Sequence, residues 1–179
     1  GLVAAYIVGP REAKFDDDGS PNVIPGHSLP YAVLGTLILA FGWYGFNVGT
    51  AVEVFTVTDA GELALSDYAY AGRVAINTAL VMGAGSIGAA AVGLYRNGKV
   101  DTLMTANGLL AGLVSVCSIA AVASWTGTLV VGLIAGVQVV LVFDLLERFG
   151  IDDVCAVFPV HGSAGLLSAL AYPFVDTTT

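Results

Sequence analysis

Apolar residues gather in five long runs, Leu29–Val52, Val74–Tyr95, Thr102–Ala123, Gly127–Leu146 and Val154–Val175, separated by short polar stretches. Each run has about the twenty residues that an α-helix needs to cross the hydrocarbon of a bilayer. The pattern predicts an all-α fold, a polytopic membrane helical bundle. Ser28, ahead of Leu29-Pro30, suits the N-cap of the first run, since proline is tolerated in a first turn. Arg148 and Gly150 close the fourth run with ordinary stop signals. A further apolar stretch, Gly1–Gly9, is too short to span. It has no basic start and no small-residue cleavage site, so it fits a signal peptide poorly and reads as the end of a helix that begins upstream. Residues 1–179 are therefore expected to form one incomplete transmembrane domain.

Composition fixes the class. The chain is 56% hydrophobic and 11% charged, with a mean hydropathy of +0.85, whereas soluble domains carry roughly 25% charged residues. That excludes a soluble enzyme. The net charge of -8 arises mostly outside the apolar runs, at Asp16, Asp17 and Asp18 in one loop and at Glu53, Asp59, Glu62 and Asp67 in another. Nucleic acid, which calls for clustered Lys and Arg, is excluded as a partner. The acidic balance suits a salt-rich habitat, and the second loop could concentrate cations at its end of the molecule. Cys117 and Cys155 have no metal-ligand spacing and are expected as small buried hydrophobes, without disulfide, zinc or other cofactor.

The basic residues orient the bundle. With five helices alternating in direction, Arg11, Lys14, Arg96, Lys99 and Arg148 fall on one side and Arg73 on the other. The positive-inside rule makes the first side cytoplasmic and puts the loop Glu53–Gly72 outside. Small residues are abundant in the runs. Gly45/Gly49, Gly108/Gly112 and Gly132/Gly136 have GxxxG spacing, and Gly83, Gly85 and Gly88 cluster in the second run, a composition that supports close helix packing.

Candidate chemistry sits in two places. His161, in Phe158-Pro159-Val160-His161-Gly162-Ser163-Ala164-Gly165, is one of two histidines and lies inside an apolar run. Hydrocarbon penalises ionisable groups, so such a residue is by default a functional candidate facing a cavity or a helix interior. Such surroundings favour the neutral ring, with one nitrogen donating and the other accepting. Gly162 and Gly165 should let another helix approach. The plainer alternative is a core histidine satisfied by a neighbour. The second place is the first run, where Trp43, Phe46 and Thr50 stand at i, i+3 and i+7 on one helical face, in its outer half. Aromatic faces attract cations by roughly 0.5–2 kcal/mol, and a hydroxyl can accept a hydrogen bond from one. An aromatic belt at the interface is the alternative. Asn47, in the same turn, is expected to bond across helices.

The segments FGWYGFNVGTA, AINTALV, GLLAGLVSV and GIDDVCAVFPVHGSAG, in this order and spacing, resemble the ammonium transporter family (Amt/MEP/Rh) from Gly1 to about Tyr172. The resemblance implies two inverted five-helix repeats plus one helix, trimers with a pore in each subunit, and a plasma-membrane location. This chain corresponds to the end of the fifth helix and helices six to ten, the second repeat. Residue by residue, it makes Phe46 an extracellular gate, Thr50 the counterpart of a usual serine at the outer ammonium site, and Trp43 a pore-lining residue. His161 becomes the second of a pore histidine pair, and Val157, one turn before it, a pore-lining aliphatic position. Asp152 and Asp153 are expected as capping and dipole partners at a helix N-terminus.

The chain departs from the family at Ala156, where many members carry a second acid. The first pore histidine belongs upstream of Gly1, and His27, in a polar loop on the cytoplasmic side, cannot replace it. The implied function is recruitment of ammonium outside and passage of ammonium or ammonia through an apolar pore. The chain alone should not conduct. An ammonium sensor with the same pore is the alternative. The implied partners are the lipid bilayer, two further copies in a homotrimer, and a PII-type regulator acting through a C-terminal tail beyond these residues.

Overall fold

The computed structural model describes residues 1–51, 55–65 and 68–177. Helices α1 (Leu2–Val8), α2 (Leu29–Ala51), α3 (Ala69–Asn97), α4 (Thr102–Val116), α5 (Trp125–Arg148) and α6 (Ala164–Val175) follow the apolar runs. A short antiparallel hairpin, β1 (Phe55–Val57) and β2 (Leu63–Leu65), stands between α2 and α3, with Asp59 and Glu62 at its turn. Glu53 and Asp67 lie outside the described residues. Among the described residues, three helices, α2, α3 and α5, are long and apolar enough to cross a membrane.

The centre is built from α3, α4 and α5, with α2 against α3 and α4, and α6 against α4 and α5. Glycine makes this possible. A Cβ on Gly85 would lie 2.2 Å from the Gly108 carbonyl oxygen, and one on Gly136 would lie 2.0 Å from the Gly85 carbonyl oxygen. Gly112 and Gly88 are equally confined, against Val81 and Leu133 backbone oxygens at 2.4 Å. These contacts bring helix backbones together, as small residues do in membrane bundles. Among the described residues Gly45, Gly49 and Gly83 meet nothing within 4 Å, so only part of the glycine pattern serves packing among them.

Two helices depart from the apolar runs. The third run was expected to be helical to Ala123, but α4 stops at Val116 and the chain continues in turns. Polar side chains from neighbouring helices satisfy that irregular backbone. Asn77 Nδ2 donates to the carbonyls of Ala120 (2.9 Å) and Ala123 (3.0 Å), and the Ser118 N–H donates to Ser168 Oγ (3.2 Å). Irregular backbone at such depth persists only where protein groups replace water as partners. The fifth run, expected to be helical from Val154, begins instead at Val157 and passes through a π-helical turn, Phe158–Ser163, before α6.

The expected capping is in place in part. Asp153 caps this last helix, its carboxylate accepting from the N–H groups of Val157 (2.9 Å) and Phe158 (2.7 Å). Asp152 has a different role. It accepts from Arg11 through Nε (2.7 Å), Nη2 (3.0 Å) and the backbone N–H (3.1 Å). Ser28 offers its carbonyl to the Ala32 N–H. Gly150, with φ near +69°, ends α5 as expected. Arg11–Asp152, Lys14–Glu147 and Arg96–Asp144 ion pairs gather at one end of the bundle, where the basic residues were grouped by sequence. Arg73, at the start of α3, lies at the other end, near the Ala121 carbonyl.

Candidate functional site: an aromatic and histidine cluster below an outer cleft

α2 carries three of the site residues up one face. With a rise of 1.5 Å per residue, Phe46 lies about 4.5 Å and Thr50 about 10 Å beyond Trp43 along the axis. The Trp43 and Phe46 ring centroids are 6.1 Å apart at an interplanar angle of 59°, a tilted pair. Trp43 packs against both hydrophobic clusters of the core, which fixes the indole plane. Among the described residues, its N–H is the one buried side-chain polar atom without a hydrogen-bond partner.

His161 comes from the π-helical turn and lies nearly parallel to Trp43, with centroids 6.5 Å apart and an interplanar angle of 16°. Among the described residues neither ring nitrogen is hydrogen-bonded, so the core-histidine alternative has no partner here. The rest of the ring is open. Val157 precedes His161 by one turn and is also exposed, at 38%. The start of α1 abuts it, since a Cβ on Gly1 would lie 2.7 Å from Val157 Cγ1. The space left by Gly162 is filled by the Phe158 ring of its own helix rather than by another helix, because the π turn folds that ring back over it. Gly165 faces Val114 of α4.

Thr50 and Phe46 line a cleft of about 360 Å³ with Asn47, Tyr70, Cys117 and Ser118 among its walls. The Thr50 hydroxyl donates to the Phe46 carbonyl at 2.6 Å, leaving its lone pairs to accept from a ligand. Asn47 bonds across helices as expected, Nδ2 donating to Thr78 Oγ1 at 3.1 Å. Trp43 thus meets Phe46 on one side and His161 on another, with Thr50 one turn after Phe46 on α2 and Val157 one turn before His161. His27 stays exposed in its loop. Cys117 and Cys155 are not the buried hydrophobes expected: both are free and exposed, Cys117 because α4 has already ended, Cys155 because it lies in the turn before the π-helical segment.

Sequence reasoning missed two residues near the histidine. Gln138 of α5 donates from Nε2 to the Pro159 carbonyl (3.0 Å), and its Oε1 lies 2.6 Å from Ser163 Oγ. The signal was present: a lone amide in the middle of an apolar membrane run is costly unless it finds partners. Among the described residues no group of three metal-capable side chains converges.

The chain is 61% identical over 174 residues to the ammonium transporter Amt2 of Haloferax mediterranei, covering 97% of this chain and 38% of that protein. It is 47% identical over 170 residues to Amt2 of Methanocaldococcus jannaschii, covering 95% and 36%. The chain thus spans less than two fifths of the length of these relatives. Among solved structures, one described as Sensor Amt Protein superposes with a TM-score of 0.86 at 28% identity, over 98% of this chain and 40% of that one. Mep2 of Saccharomyces cerevisiae superposes with a TM-score of 0.80 at 27% identity, over 98% and 36%. The model of the Ammonium Transporter Family matches residues 1–177. This chain, a multi-pass membrane protein with the helical architecture of those structures, belongs to the ammonium transporter family.

Proposed function

We propose that the protein to which residues 1–179 belong moves ammonium or ammonia across the plasma membrane, and that these residues form its second, inverted five-helix repeat. The observation that carries this reading is the parallel stacking of His161 on Trp43, directly inside the tilted Trp43–Phe46 pair. Ammonium is recruited in the outer cleft, where Thr50 accepts a hydrogen bond and the aromatic faces attract the cation. Phe46 then gates the way to the file of Trp43, His161 and Val157. A bare cation is costly at that depth. The ion therefore leaves its proton near Phe46, or a histidine pair offsets the charge or relays the proton. A neutral imidazole can both donate and accept, which serves either course. The second histidine and the facing half of the outer site come from residues outside the 179, so the complete protein, a homotrimer in the bilayer open to a PII-type regulator, is the conducting unit.

Substitution of His161 in the complete protein tests this. His161→Ala is expected to lower ammonium transport per folded trimer without unfolding it. His161→Glu is expected to abolish transport or to admit potassium, because an ionised carboxylate there costs several kcal/mol unless a cation or water offsets it. Wild-type rate and selectivity in both variants, with currents normalised to folded protein, would end the pore assignment. An ammonium sensor with the same pore is the second reading, favoured by the superposition on Sensor Amt Protein. It predicts ammonium binding at the same residues with negligible flux through the wild-type protein.

A further inference from the structure

The imidazole of His161 does not hold its own position, since among the described residues neither nitrogen is bonded and only the Trp43 ring faces it. Its direction is set by the backbone of the π-helical turn that carries it. A π turn inserts one more residue than an α turn, and so re-aims every side chain beyond it; it also leaves the helical hydrogen-bond ladder locally out of step. Such turns persist only where other groups take up the freed carbonyls. Here that group is Gln138. Its Nε2 donates to the Pro159 carbonyl at 3.0 Å, and its Oε1 lies 2.6 Å from Ser163 Oγ. Ser163 Oγ is also 2.8 Å from the same Pro159 carbonyl.

The arrangement admits one orientation of the amide. Turning it over would set Oε1 against the Pro159 carbonyl, two acceptors with no proton between them. Both ends of Gln138 are thus spent on the first and last thirds of a turn whose middle is Val160-His161. α5 is itself held rigidly, through Gly132 and Gly136 against α3, so the amide is a fixed point rather than a flexible tether. From the opposite side, Phe158 lies over Gly162 and closes the turn there. We propose that Gln138, with Ser163, is a positioning residue for transport: it clamps the π-helical turn and thereby holds the His161 ring parallel to Trp43. This rests on the reading of His161 as a pore residue.

The clamp acts inside the file and leaves Thr50 and Phe46 alone. Loss of the clamp should therefore lower the maximal rate and leave the half-saturation for ammonium unchanged. Misplacement of a working group by about 1 Å can cost on the order of a hundredfold in rate. In the full-length protein in liposomes, Gln138→Leu is expected to slow ammonium transport per folded trimer by roughly tenfold to a hundredfold, and Ser163→Ala by less. The double variant Gln138→Leu/His161→Ala should be no slower than His161→Ala, because both act through one ring. Thr128→Val, which removes a buried hydroxyl from the same helix, should transport normally. A slow His161→Ala beside a normal Gln138→Leu would overturn the clamp and leave the pore reading standing. Normal rates in both would overturn the two together. Fewer folded trimers with a normal rate per trimer, an additive double variant, or equal slowing by Thr128→Val would reduce Gln138 to a packing role. If Gln138→Leu does not fold, Ser163→Ala, which keeps the Nε2 bond to Pro159, decides the matter by the same comparison with His161→Ala.

Discussion

Ala156 holds a left-handed conformation, φ near +53°, and is 1% exposed. A residue with a Cβ pays about 1–2 kcal/mol there. The turn exists because Asp153 caps the helix that starts one residue later, and the Ala156 N–H returns to the Asp153 carbonyl at 2.9 Å. Ala156→Gly removes the steric cost and returns part of it through a freer unfolded chain. A net gain of up to about 1 kcal/mol is expected, seen as a higher thermal midpoint of the full-length protein. A lower midpoint would mean that the Ala156 methyl contributes more through its packing against Val160 and Ala164 than its backbone loses. At this scale the chain was unevenly legible. An acid at a helix start announces a cap, and Asp153 is one. Asp152, beside it, could as easily have been another, and only the folded position of Arg11 makes it an ion-pair partner. Nothing about an alanine signals a positive φ.

Among the elements, the centre of the bundle depends on backbone meeting backbone. Gly136→Ala would set a methyl against the Gly85 carbonyl and the Ala89 nitrogen, neither of which can turn aside as a side chain would. Overpacking of this kind costs about 1–3 kcal/mol or more. The variant should fold less stably than Gly83→Ala, whose methyl meets nothing among the described residues, and thermal unfolding of the two side by side checks it. Equal midpoints would show that α3 and α5 can separate without cost. The existence and order of the helices were readable because hydropathy alone selects membrane-length segments. Their interruptions were not. α4 ends in mid-run at Val116, and the last helix winds into a π turn, because Asn77, Ser168 and Gln138 supply hydrogen bonds from helices distant in sequence. Hydropathy carries no record of such partners. The same holds for the site: Trp43, Phe46, Thr50, Val157 and His161 could be singled out, but the stacking of His161 on Trp43 depends on that π turn.

Across the whole molecule, the loop after α1 is bound to the far end of the chain by charge. Arg11 grips Asp152 ahead of the last helix, and Lys14, itself buried, pairs with Glu147 at the end of α5 and donates to the Asn22 carbonyl at 3.0 Å. The hydrogen bonds from Arg11 hold the Asp152 carboxyl below the usual carboxylate range against the opposing effect of burial, and Asp152 in turn raises the Arg11 guanidinium. A carboxyl depressed on folding stabilises the docked state fully above its unfolded value, near 4. That contribution fades as pH falls through the lower folded value, and alkaline pH does not remove it. The Arg11 side chain is 40% exposed, so solvent weakens the pair, but the three contacts on a side chain only 3% exposed keep it specific. Amide-exchange protection of residues 11–22 in the full-length protein should therefore be constant from pH 8 to 5 and drop below about pH 4. In Asp152→Asn it should already be low at neutral pH and should lose its acid step at this site. Protection that instead disappears as pH rises would require a group charged only in its protonated form, and would assign the docking to a residue other than Asp152.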